Sequence, residues 1–167
     1  MLSLVTMGFA AELLLPGSYP AEAVQGVDGP GWLALRGNRL EAIHVSLQPA
    51  ENGLQTVVPP DVVALVRGEP FVAGPVRTLS TANPIQGSIK VGELQILREG
   101  ERVLVSDGER RQRLELGADV SLVWGGDLDQ DGRTDLIFSR MGVVSLWLSS
   151  GTPYLLRRAA GYDDAGC

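Results

Sequence analysis

Apolar positions in this chain recur with the two-residue period of strands, and helical periodicity is weak throughout. Trp32-Leu33-Ala34-Leu35 leads through Gly37-Asn38 into 40–47, where Ile43, Val45 and Leu47 share one face, so a hairpin is predicted. The stretch 48–60 turns polar and ends in Pro59-Pro60, which lack amide donors, and reads as a loop. An apolar strand over 61–68, an edge strand over 70–78 and a second loop over 80–87 around Asn83-Pro84 follow.

The pattern is clearest next. Strands at 94–97, 102–105 and 110–116, separated by turns at Glu99-Gly100 and Asp107-Gly108, predict a three-stranded meander. Asp-Gly is the pair expected in a type I′ hairpin turn. Further strands are predicted over 120–124, 136–138, 143–148 and 154–157. The expectation is an all-β chain, an antiparallel sandwich or a barrel-like meander, forming one domain over 12–167.

Composition supports short strands and many turns. The 167 residues include 21 Gly and 10 Pro, with 44% hydrophobic and 20% charged residues, a balance suited to a globular core. Twenty acidic residues against 14 basic ones give a net charge of -6, which argues against nucleic acid, because that binding needs clustered cations. Arg98, Arg102, Arg110, Arg111 and Arg113 lie close together but are interleaved with Glu99, Glu101, Glu109 and Glu115, as on a solvated face.

The opening Met1 to Ala11 is apolar and ends in small residues before Glu12. It reads either as part of a secretory signal or, with Leu13, Leu14 and Leu15, as a first buried strand. No apolar run reaches the ~20 residues that span a bilayer as a helix. Cys167 has no second cysteine to pair with and no positioned base nearby in sequence, so a thiol nucleophile is not expected.

One segment carries chemistry. Asp127, Asp129, Asp131 and Asp135 are spaced D-x-D-x-D-G-x-x-D, with Gly132 available for a sharp turn. Alternate carboxylates in a curled loop can converge on a hard cation such as Ca²⁺, and the carbonyl of Arg133 can complete the ring. Without an ion, four like charges in one small turn repel. An EF-hand is rejected, since its bidentate twelfth-position Glu is replaced by Phe138 and the flanks are β-like.

The stretch from Gly126 to Leu136 resembles the calcium loop of FG-GAP and VCBS-type repeats, found in β-propellers such as integrin α-subunit blades. That resemblance implies Asp127, Asp129, Asp131 and Asp135 as side-chain ligands of Ca²⁺ and Arg133 as a main-chain ligand. Gln130 stands where such loops often have Gly. The likeness covers only about 120–148 and no second acidic loop occurs, so a complete propeller is not expected. A wider likeness, through Trp32 to Leu35, Trp124 to Asp129, Leu146 to Ser150 and the terminal Gly166-Cys167, is to uncharacterised secreted bacterial proteins with one such loop.

The remaining candidates read as structural. His44 points away from the Ile43 and Val45 face, and Ser149-Ser150 read as turn residues outside any nucleophile elbow. Trp32, Trp124 and Trp147 sit among apolar strand residues and are expected in the core. The resulting expectation is a non-enzymatic, Ca²⁺-binding module, periplasmic or secreted, that contacts a protein or a glycan. The alternatives are a metal-stabilised accessory or inhibitor subunit, and a hydrolase with a carboxylate site outside the loop.

Overall fold

The computed structural model describes residues 11–57, 61–149 and 154–162. The proposed signal segment before Ala11, Ser150 and Cys167 lie outside them. The strands of the first half are β1 (Glu12–Leu14), β2 (Gly17–Pro20), β3 (Gly29–Arg36), β4 (Arg39–Val45), β5 (Leu47–Pro49), β6 (Leu54–Val57), β7 (Ala64–Arg67) and β8 (Gly74–Pro75). Those of the second half are β9 (Arg77–Pro84), β10 (Ser88–Val91), β11 (Leu94–Glu99), β12 (Arg102–Ser106), β13 (Arg111–Leu114), β14 (Ser121–Asp127), β15 (Asp135–Arg140), β16 (Val143–Ser149) and β17 (Leu156–Tyr162). Two short 3₁₀ turns, Ala21–Val24 and Glu51–Gly53, are the helical elements among the described residues.

These strands pair into an outer sheet (β2-β6-β5), an inner sheet (β1-β7-β3-β4-β8), a central sheet (β17-β16-β15-β14-β9) and a meander sheet (β10-β11-β12-β13). The pairing is antiparallel, no sheet closes into a barrel, and no complete propeller is formed. The all-β expectation therefore holds, in its sandwich form.

Strand alternation explains the stacking. Along β3, Trp32 and Ala34 join one apolar cluster while Leu33 and Leu35 join another. Leu65 of β7 likewise faces opposite to Ala64 and Val66, so the inner sheet is apolar on both faces. One face packs on the outer sheet through Val57 and Leu47. The other meets Trp124, Ile137, Val144, Leu146 and Leu148 of the central sheet. The opposite face of the central sheet, through Leu122, Leu136 and Phe138, packs on Val91, Leu94, Ile96, Val103 and Val105 of the meander sheet. Three apolar layers thus separate four sheets, and the acidic loop 127–135 lies beside the central one.

Several sequence expectations need correction. The stretch 48–60, expected to be a loop, contributes β5 and β6, because Val57 and Leu47 cap the second apolar face of the inner sheet. The expected loop over 80–87 begins as β9, an edge strand paired with β14. Pro84 is tolerated there because it sits at the end of an edge. Only Gly74–Pro75 of the predicted edge strand 70–78 pairs with β4, and its last residues belong to β9. The meander gains a fourth strand, β10. Four residues, not a two-residue turn, join β12 to β13, because the Asp107 carboxylate accepts the amides of Glu109 (3.0 Å) and Arg110 (2.7 Å). The last strand starts at Leu156 rather than Tyr154.

Other expectations are met. β3 and β4 form the hairpin around Gly37, His44 is exposed, and Trp32 and Trp124 are buried. Leu13 and Leu14 are buried in β1, while the apolar stretch before Ala11 lies outside the described residues. Charges on the meander sheet pair across strands, with Arg102 at 2.8 Å from Glu115 and Arg113 at 3.5 Å from Glu99.

Candidate metal centre

Two strands of the central sheet create the loop. β14 ends on Asp127 and β15 begins on Asp135, so the intervening residues must reverse direction within one tight turn. Gly132, with φ 86, supplies the left-handed geometry expected of it. Gln130 is also left-handed, at φ 61, a conformation that favours glycine. Its amide Nε2 donates to the Val72 carbonyl at 2.9 Å, tying the loop to the segment before β8. Leu128 is fully buried between the inner and central sheets, an anchor worth about 2 kcal/mol.

The strand before the loop is glycine-bound for packing reasons. A Cβ on Gly126 would overlap the Arg77 carbonyl of β9, and one on Gly125 would stand 2.6 Å from a Val91 methyl of the meander sheet. β9 beside it and β10 of the facing meander sheet therefore approach closer than a side chain allows.

The carboxylates organise the loop backbone. Asp127 accepts the amides of Asp131 (2.9 Å) and Gly132 (2.8 Å), and Asp131 accepts that of Arg133 (2.9 Å). Asp135, fully buried, accepts Leu128 N–H at 2.7 Å and Asp129 N–H at 3.3 Å on one oxygen, and Ser149 N–H at 2.9 Å on the other. Asp129 is different: its Oδ1 is buried without a hydrogen-bond partner. A buried acceptor in that condition costs roughly 1–3 kcal/mol, more when it is charged.

Asp127, Asp129 and Asp135 each offer an oxygen within 4.8 Å of the others. Three atoms so spaced all lie within about 2.8 Å of a common point, close to the ~2.3 to 2.6 Å of calcium–oxygen bonds. This triad could hold a metal ion. Asp131 lies beyond the triad, exposed, yet close enough to raise the pKa of Asp129 by its charge. Arg133 is exposed, and its described contact is through its amide.

Electrostatics mark the same place. Burial, and then the charge of Asp129, push the Asp135 carboxyl up to about 8 against the amides that favour its ionised form. Burial, then Asp131, push Asp129 up to about 6. Both groups resist ionisation together, the condition that a cation relieves.

Two residues that the sequence reading did not assign to the site belong to it. Glu93, in the turn between β10 and β11, accepts the Thr134 amide at 2.9 Å and its hydroxyl at 2.6 Å. Burial alone would raise its pKa, but these bonds hold it below the usual carboxylate range. Gly92 beside it has φ 58, and a Cβ there would stand 2.5 Å from the Thr134 hydroxyl. Ser149 is not a turn residue: it ends β16, its amide bonds Asp135 and its hydroxyl donates to the Thr134 carbonyl. No spacing rule could have found either, since Glu93 is 41 residues and Ser149 is 14 residues from its loop partner.

A scan against protein-family models, a search of the curated proteins and a search of the solved structures each find no match.

Proposed function

We propose that the loop 127–135 holds one Ca²⁺, with the side chains of Asp127, Asp129, Asp131 and Asp135 and the carbonyl of Arg133 as its ligands. The observation that carries this reading is the buried, partnerless Oδ1 of Asp129, set beside two further carboxylates in a group that resists ionisation. Calcium suits the oxygen spacing better than Mg²⁺, which demands a stricter octahedron at ~2.0–2.1 Å. The ion would act by neutralising charge, and the residues that surround it would transmit its hold: Gln130 to Val72, Thr134 to Glu93 and Asp135 to Ser149.

The wider reading is a non-enzymatic β-module, periplasmic or secreted, that uses the ion for rigidity and contacts a protein or a glycan. The apolar, small-residue start of the chain supports export, and the acidic balance fits a partner other than nucleic acid.

Thermal melting in excess Ca²⁺ and in EDTA tests the centre. Free calcium at 100 times the dissociation constant should add about 2.7 kcal/mol, a shift of several degrees in the midpoint. Trp124, buried three residues before Asp127, should also sensitise Tb³⁺ emission. Identical melting curves without terbium emission would overturn the proposal.

A further inference from the structure

At the other end of β15 from Asp135, the central and meander sheets part and leave a cleft of about 390 Å³. That is the size range of small-ligand sites. Phe138, Arg140, Ser145 and Trp147 line it from one face of β15 and β16, with Arg158 of β17 and Arg113 of β13 at its sides. Trp147 and Arg158 are direct cross-strand partners. In a chain with net charge -6, the guanidiniums of Arg140 and Arg158 reach one cleft, while that of Arg113 is paired with Glu99 at 3.5 Å.

Two of these cations are held in place. Arg140 donates Nε to the Ala118 carbonyl, and Gly117 lets it lie close: a Cβ there would stand 2.8 Å from Nε and 2.9 Å from Cζ. Arg158 lies as tightly against Gly161, where a Cβ would also meet the Val144 carbonyl at 2.9 Å. No carboxylate among the described residues lies within ion-pair distance of Arg140. The one acidic lining residue, Glu115, is bonded to Arg102. Trp147 is only partly buried and is fixed by Nε1 donating to Ser145 Oγ at 3.0 Å.

We infer that this cleft binds an acidic sugar, the carboxylate of a uronic acid engaging Arg140 and Arg158 while its ring lies against Trp147. Guanidinium forks match a carboxylate, and an indole face matches the C–H face of a pyranose. The inference deepens the glycan contact proposed above and rests on that part of it, not on the metal.

Tryptophan fluorescence tests it, because Trp32 and Trp124 are buried at 2% and 0% exposure and Trp147 is the remaining reporter. Titration of the calcium-loaded chain with trigalacturonate should give saturable quenching that weakens with salt. Maltotriose, equal in rings but neutral, should give none. Arg140→Gln and Arg158→Gln should each weaken binding about tenfold or more while circular dichroism and the calcium-dependent melting midpoint stay unchanged. Should R140Q fail to fold, the exposed R158Q still decides the matter. Absent quenching, undiminished affinity in the folded variants, or an equal response to triglutamate would each overturn the inference, the last in favour of an acidic peptide. Terbium uptake by the same samples separates the two readings, since an intact loop with a silent cleft sinks only this one.

Discussion

Asp129 and Asp135 share a cluster but have different surroundings, and their substitutions should differ accordingly. Asp135 is held by three amides, so removing it would deprive the loop, and an ion bound there, of their anchor. Asp129→Asn keeps a coordinating carbonyl oxygen and removes a repelling charge. By calorimetric titration, D129N should weaken calcium less than about tenfold and D135A well beyond that. D129N should also melt higher than the parent in EDTA. An equal loss in both variants would count against Asp135 as the anchoring ligand.

Protons would compete with a bound ion at the same oxygens. In the metal-free fold Asp135 and Asp129 sit at about 8 and about 6, above their ordinary value of 3.8. A carboxyl raised on folding binds more protons folded than unfolded, so its stabilising effect is complete below pH ~4 and is lost as the pH climbs towards 8. Metal-free stability should therefore decline across that window, while the calcium-induced rise in melting midpoint grows from pH 5 to pH 8. Melts with and without calcium at three pH values would reveal a flat increment if the prediction were wrong.

The acidic spacing was legible because all its members lie within nine consecutive residues, so local geometry alone brings them near one another. Glu93 and Ser149 were hidden for the opposite reason, their places being set by how separate sheets pack.

At the level of elements, the loop illustrates how one residue can serve two strands. Gln130 carries the left-handed strain of a glycine position but returns a hydrogen bond to Val72. Gln130→Ala keeps the strain and loses the bond, so it should destabilise by about 1 kcal/mol. Gln130→Gly loses the bond but relieves a strain of similar size, and should stay near neutral. Chemical denaturation of both variants would separate strain from contact, and an alanine variant as stable as the parent would show that the bond to Val72 contributes nothing. Strands were readable wherever one face was polar, as in the meander. They were misread at β5, β6 and β9, where short or edge strands carry prolines and polar residues and gain their identity from the sheets they cover or border.

Over the whole molecule, three separate apolar layers imply that the sheets need not come apart together. The outer sheet is held through Val57 and Leu47, and its amides should exchange hydrogen earliest, while those of β14 and β15 in the doubly covered central sheet should exchange last. Uniform protection across the sheets would contradict this order.

The bond from Thr134 to Glu93 has a consequence of another kind. The loop touches the meander sheet through Glu93, the inner sheet's margin through Val72 and its own sheet through Ser149, so an ion bound there would penalise any partial opening that separates one of these from the rest. The ion would then govern the cooperativity of unfolding as well as its midpoint. In calorimetry, the van't Hoff enthalpy should fall short of the calorimetric enthalpy in EDTA and approach it when calcium is present.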